Sequence, residues 1–217
     1  VRWRRAVGWQ PASLAWRVAA LFLAGSSLFA LGSFPAYAGR VDGRALGITF
    51  VVGAVLFTAA AASQLVQVSG GIRVWAPQAR DAVWAACWVQ LAGTLLFNVN
   101  TIDAMVTTFD VQQVNRLVWA PDFLGSIAFL IASHLAWLAV RGRPWPVRRE
   151  DPEWWAAVLN YVGSVFFMAS AIGAFTLETT GEPVNLALVN GGTFLGAVCF
   201  WLGAWAVLPT PRRQPVP

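Results

Sequence analysis

Apolar and polar positions alternate along this chain on two length scales. On the longer scale, six apolar stretches, residues 16–38, 46–68, 82–99, 123–140, 153–177 and 186–208, are separated by connections rich in Arg, Asp, Gly and Pro. Each has about the 17–25 residues that a helix needs to cross ~30 Å of hydrocarbon, so the pattern predicts six transmembrane helices. Helix starts are marked at Asp151-Pro152-Glu153, an N-cap residue followed by Pro at the first helical position, and at Ala120-Pro121-Asp122 and Gly181-Glu182-Pro183. The longest connection, 100–119, carries a stripe of its own: Ile102, Met105, Val106, Phe109, Val114, Leu117 and Val118, with Asp103, Asp110, Gln112, Asn115 and Arg116 mostly off it. That spacing predicts a short amphipathic helix in the outer interface.

On the shorter scale, every apolar stretch holds a Gly, a Phe four residues on, and a small pair three residues further. The glycines are Gly25, Gly53, Gly93, Gly125, Gly163 and Gly196, and the phenylalanines Phe29, Phe57, Phe97, Phe129, Phe167 and Phe200. The pairs are Gly32-Ser33, Ala60-Ala61, Asn100-Thr101, Ala132-Ser133, Ser170-Ala171 and Gly203-Ala204, so only Asn100 breaks the rule of small residues. Offsets of 0, 4 and 7 share one helix face, which gives each helix a notch, a ring and a second notch along one stripe. The stretches pair into three related hairpins, 16–68, 82–140 and 153–208, all pointing the same way, as a parallel repeat does. The expected fold is therefore all-α: one transmembrane domain over 1–217, with six helices in three pseudo-repeated hairpins plus the short interfacial helix.

Composition narrows the class. With 58% hydrophobic and 12% charged residues in 217, the chain is too apolar for an ordinary soluble domain. All 15 basic residues are Arg. They cluster in the gaps between apolar stretches, where membrane topology explains the net charge of +5 better than nucleic acid does. With the N-terminus inside, Arg2, Arg4, Arg5, Arg17, Arg73, Arg80, Arg141, Arg143, Arg148, Arg149, Arg212 and Arg213 lie on the inner side, and Arg40, Arg44 and Arg116 on the outer. Among the tryptophans, Trp119 alone falls outside the arginine side. Both termini are accordingly expected in the cytoplasm and the protein in the plasma membrane, with anionic lipid as a partner of the arginine-rich 141–153 connection. The first stretch also reads as a signal peptide ending at Pro35-Ala-Tyr-Ala38; its packing stripe favours a retained helix.

The Gly-Ser-x-x-Phe helices joined by a short loop resemble the two-helix YrhK-type membrane domain, best over 160–208 and less closely over 21–64. The middle hairpin departs from that pattern by placing Asn98, Asn100 and Asp103 at its outer end. The whole chain is also similar to six-helix actinobacterial membrane proteins, around Asn115-Arg-Leu-Val-Trp-Ala-Pro-Asp122 and Gly181-Glu-Pro-Val-Asn185. Neither resemblance implies a reaction, substrate or cofactor.

Polar residues inside apolar stretches are costly and so carry information. Gln90 and His134 read either as a proton relay or as an interhelical hydrogen bond; the absence of a neighbouring intramembrane carboxylate favours the fastener. Gln64 and Asn160, and the serines beside the glycines, read as helix fasteners. Asn98, Asn100, Asp103, Asp110, Asn115, Arg116, Asp122, Glu178 and Asn185 form an outer polar cluster, either a cup for a cation, sugar or lipid headgroup, or a solvated rim with Arg116 paired to Asp110 or Asp122. One His and the separated Cys87 and Cys199 make neither zinc nor haem spacing, and Gly70-Gly71 lacks the Lys of a phosphate loop, so no metal or cofactor is expected. The leading expectation is a non-enzymatic structural or accessory protein contacting lipid, a membrane partner or itself. A small transporter or channel comes second, and an intramembrane enzyme with His134 as base third.

Overall fold

A computed structural model of the protein describes residues 9–71, 74–75, 81–141 and 150–209. The helices are α1 (Leu14–Ser33), α2 (Pro35–Ala38), α3 (Gly43–Val68), α4 (Ala82–Asp103), α5 (Val111–Gln113), α6 (Ala120–Arg141), α7 (Pro152–Gly173) and α8 (Leu186–Val207), with a π-helical segment, Val114–Trp119, between α5 and α6. Six of the spans are long and apolar enough to cross a membrane, and the chain is an all-α multi-pass membrane protein. Polar side chains fix most helix starts by accepting otherwise orphaned backbone N–H groups: Ser13 for α1, Asp42 for α3, Asp81 for α4, Asp151 for α7 and Asn185 for α8.

Three starts differ from expectation. The helix predicted within 100–119 begins at Val111 but runs without a break into α6, giving one span of Val111–Val140. Pro121 therefore sits inside a helix; it has no N–H to donate, and the turn before it widens so that Ala120 N–H reaches back to Asn115 O. The 181–185 segment is not yet helical: Leu177 N–H to Glu182 O and Val184 N–H to Phe175 O make it the return arm of a small antiparallel loop. Most of the arginine-rich 141–153 connection expected to touch lipid, residues 142–149, lies outside the described residues.

The six long helices form a closed ring. Packing is most extensive within α1–α3, α4–α6 and α7–α8, and the three hairpins are joined side to side by α3–α4, α6–α7 and α8–α1. The Gly and Phe of the repeat explain each hairpin. A Cβ placed on Gly25 would lie 2.7 Å from the Phe57 ring, and one on Gly53 3.0 Å from Phe29. The same exchange recurs as Gly93 with Phe129 (2.7 Å) and Gly125 with Phe97 (3.2 Å), then as Gly163 with Phe200 and Gly196 with Phe167 (both 2.8 Å). Each helix thus lends its notch to its partner's ring, and the backbones close to the point that Gly196 O lies 3.0 Å from a Cβ on Gly163. The residue after each glycine, Ser26, Ala54, Thr94, Ser126, Ser164 or Ala197, is at most 1% exposed or wholly buried. Two of them bond where hairpin meets hairpin: Ser164 shares a hydroxyl–hydroxyl bond of 2.8 Å with Ser133 across α6–α7, and Ser126 Oγ donates to Phe167 O.

Interior and exterior have exchanged the roles they hold in a soluble protein. The core is Ala, Gly, Ser, Thr and Phe with few larger aliphatics, whereas Ile48, Val52, Leu95, Leu124, Ile131, Val165, Ile172 and Leu195 are exposed on the outside of the ring. Lipid tails solvate Leu and Val as well as a core does, so close approach and not apolar burial selects the inner face.

Candidate functional site

The phenylalanines of all six copies meet on the ring axis. Phe29, Phe57, Phe97, Phe129, Phe167 and Phe200 pack in edge-to-face and tilted contacts with centroids 5.1–6.4 Å apart. Such contacts contribute ~0.5–1.5 kcal/mol each beyond area burial. The result is a plug across the middle of the bundle.

On the side of the plug away from the N-terminal end of α1, a cavity of about 40 Å³ is lined by Phe29, Phe57, Phe97, Phe129 and Phe167 below and by Asn100, Asp122, Ser170 and Thr193 above. That is room for roughly three water centres. The polar residues occupy fixed phases of the repeat. Asn100 and Ser170 stand three residues after Phe97 and Phe167 on helices running away from the chain start; Asp122 and Thr193 stand seven before Phe129 and Phe200 on helices running back. Seven residues return to the same face, so Asp122 lies over the plug about 10 Å along the axis. The first hairpin closes its side with an apolar pair, the Phe50 ring lying 2.7 Å from a Cβ on Gly32.

Asn100 Nδ2 donates to Val118 O in the π-helical segment at 3.0 Å, and Ser170 Oγ lies 2.8 Å from both Val189 O and Thr193 Oγ1. No hydrogen bond or ion pair from the described residues reaches the Asp122 carboxylate. On the opposite side of the plug, Gln90 and Asn160 lie seven residues before Phe97 and Phe167, and Gln64 seven after Phe57. Gln64 Oε1 and Asn160 Oδ1 are buried without a partner among the described residues.

Four further members of the polar cluster make structural contacts. Asn98 Nδ2 donates to Thr58 Oγ1 at 2.7 Å and ties α4 to α3. Asp110 caps α5 in a capping box with Gln113, and Asn185 caps α8. Asn115 grips one backbone unit of the α7–α8 loop from both sides, donating to Thr176 O at 2.8 Å and accepting from Thr176 N–H at 2.9 Å. Trp119 Nε1 donates to Ala171 O at 2.9 Å while its ring stacks on Phe123. Asp103 is half-buried at the end of α4, and Glu178 and Arg116 are exposed; the expected pairing of Arg116 with Asp110 or Asp122 does not form. Nor are Gln90 and His134 joined: His134 is exposed on the outside of α6, its ring 6.1 Å from that of Tyr161.

Of the outer polar cluster, Asp122 and Asn100 line the cavity over the plug, and Ser170 and Thr193, read as packing or not at all, complete its lining. Both were reachable by extending the repeat phase from the phenylalanines to the positions three after and seven before them. No family model, no curated protein and no solved structure matches this chain.

Proposed function

We propose that the protein is a small transporter or channel held closed by its phenylalanine plug, with the Asp122 cavity facing outward as the arginine distribution implies. The observation that carries this reading is Asp122 on the axis of a closed ring, without a partner among the described residues, with amides Gln64, Gln90 and Asn160 in phase beyond the plug. A protein that only fastens helices gains nothing from an uncompensated carboxylate there, and the cost of holding one in a membrane marks a pathway. Apolar constrictions of this kind close pores by expelling water. On this reading the three hairpins, the third of them YrhK-like, are wedges around one axis, in the plasma membrane with both termini cytoplasmic. Flux into protein-containing liposomes tests it: Phe129→Ala combined with Phe167→Ala should raise small-solute flux by about tenfold or more over the intact plug. Flux equal to that of empty liposomes in both proteins would sink the proposal.

The accessory role expected first from the sequence becomes the second reading. It is favoured by an apolar groove between α1 and α8, floored by Ala30 and Val198 and flanked by Phe34, Phe194 and Trp201, which suits a lipid chain or a partner helix.

A further inference from the structure

We infer that the axial cavity binds a small monovalent cation. This names the cargo class of the proposed pathway and so rests on that reading for its use, while the binding itself is separately measurable.

The hydrogen inventory of the cavity decides the sign of the ligand. Val118 O can only accept, so the end of the Asn100 amide facing it at 3.0 Å must be the NH₂, and the end left over is the carbonyl oxygen. Val189 O likewise can only accept, so the single hydroxyl hydrogen of Ser170 goes to it. The 2.8 Å contact between Ser170 and Thr193 must then be supplied by the Thr193 hydrogen. Both hydroxyl protons and one of the two Asn100 amide N–H groups are committed, and what the cavity chiefly offers is lone pairs: the Asn100 carbonyl oxygen, Thr193 Oγ1 and the two oxygens of ionised Asp122. No arginine or donor from the described residues compensates the carboxylate. An anion would meet the like charge of ionised Asp122 and at most the second Asn100 N–H. A cation would meet oxygens on one side and the plug rings on the other.

Valence and size narrow the class. One carboxylate and two neutral oxygens fall short of the six to eight oxygens that Ca²⁺ takes or the near-ideal octahedron that Mg²⁺ demands. No group of three or more His, Cys, Asp or Glu able to hold a metal ion occurs among the described residues. A volume of about 40 Å³ admits an alkali ion with a water or two, ammonium or methylammonium.

The test is equilibrium binding of radiolabelled sodium, rubidium and methylammonium to the full chain in mild detergent. At least one should show a saturable site per chain, weakened about tenfold or more by Asp122→Asn and a few-fold by Thr193→Val. Asp122→Asn keeps the shape of the side chain, and gel filtration reports whether each variant is folded. The inference is overturned if none of the three probes binds the unmodified chain saturably. It is also overturned if binding survives Asp122→Asn in a protein that elutes normally or, should that variant not fold, if Thr193→Val binds undiminished. Liposome flux separates the two readings. Cation binding without flux through the opened plug supports the site and removes the pathway; flux of chloride or a neutral solute without cation binding overturns the site and leaves the pathway.

Discussion

Gly191 and Gly192 are neighbours in α8, and the ring geometry assigns them opposite responses to a single methyl group. A Cβ on Gly192 would lie 2.7 Å from Phe166 O and 2.9 Å from both Ser170 Cβ and Ser170 N, all on α7; one on Gly191 meets nothing within 4 Å. Two of the three atoms facing Gly192 are backbone, which cannot rotate aside, so α7 and α8 must separate by several tenths of an ångström. Overpacking of this kind costs about 1–3 kcal/mol. Gly191→Ala has no clash and removes the penalty of a helical glycine, a gain of about 0.5–1 kcal/mol. The two variants should then differ by about 1.5–4 kcal/mol, with the parent between them. Thermal unfolding in detergent, followed by a thiol-reactive dye on buried Cys87 and half-buried Cys199, reads the order directly. Gly192 also adjoins Thr193, so the same separation should stretch the Thr193–Ser170 bond at the cavity. A Gly192→Ala protein as stable as Gly191→Ala would refute the close approach of α7 and α8 on which the ring rests.

Asn115→Ala removes both hydrogen bonds to Thr176 and should cost roughly 1–3 kcal/mol, with faster hydrogen exchange at the Thr176 amide as the local signature. Ser133→Ala and Ser164→Ala should show a coupling of ~0.6 kcal/mol, at most ~2, in a double-mutant cycle of detergent unfolding, since their hydroxyls bond across α6–α7. His134→Ala should leave stability within about 0.5 kcal/mol and flux unchanged, because the ring lies on the outside of α6; a larger loss in unfolding measurements would restore it as a fastener.

The six spans, their pairing and their inner faces were legible because lipid simplifies the code: length and polarity give the spans, and close approach demands Gly, Ala or Ser wherever helices touch. What the pattern could not give was the lateral order of the hairpins, and with it the axis. Gly-x-x-x-Phe states only that a notch and a ring share a face; that each ring fills the partner's notch, and that all six rings then converge, depends on the register of each hairpin. Asp122 was misplaced for a related reason. Its neighbour Pro121 reads locally as a helix start, which puts the carboxylate at a rim, yet the widened turn after Val114 carries the helix past it and swings Asp122 over the plug. His134 misled in the opposite direction, since a mid-span histidine looks interior until the small residues beside it, Ala132 and Ser133, claim the inner face.

The reciprocity of notch and ring bears on how such a chain can diverge. Because Gly93 makes room for Phe129 and Gly125 for Phe97, a change at one position alters the fitness of one specific residue on the neighbouring helix and of few others. Descendants should therefore drift in linked couples, a smaller ring appearing with a larger notch residue, while the lipid-facing Leu, Ile and Val wander freely among themselves. Three hairpins locked internally in this way can also tolerate different polar content at their tips: the third pseudo-copy carries Ser170 and Thr193, and the second Asn100 and Asp122, over the same lock.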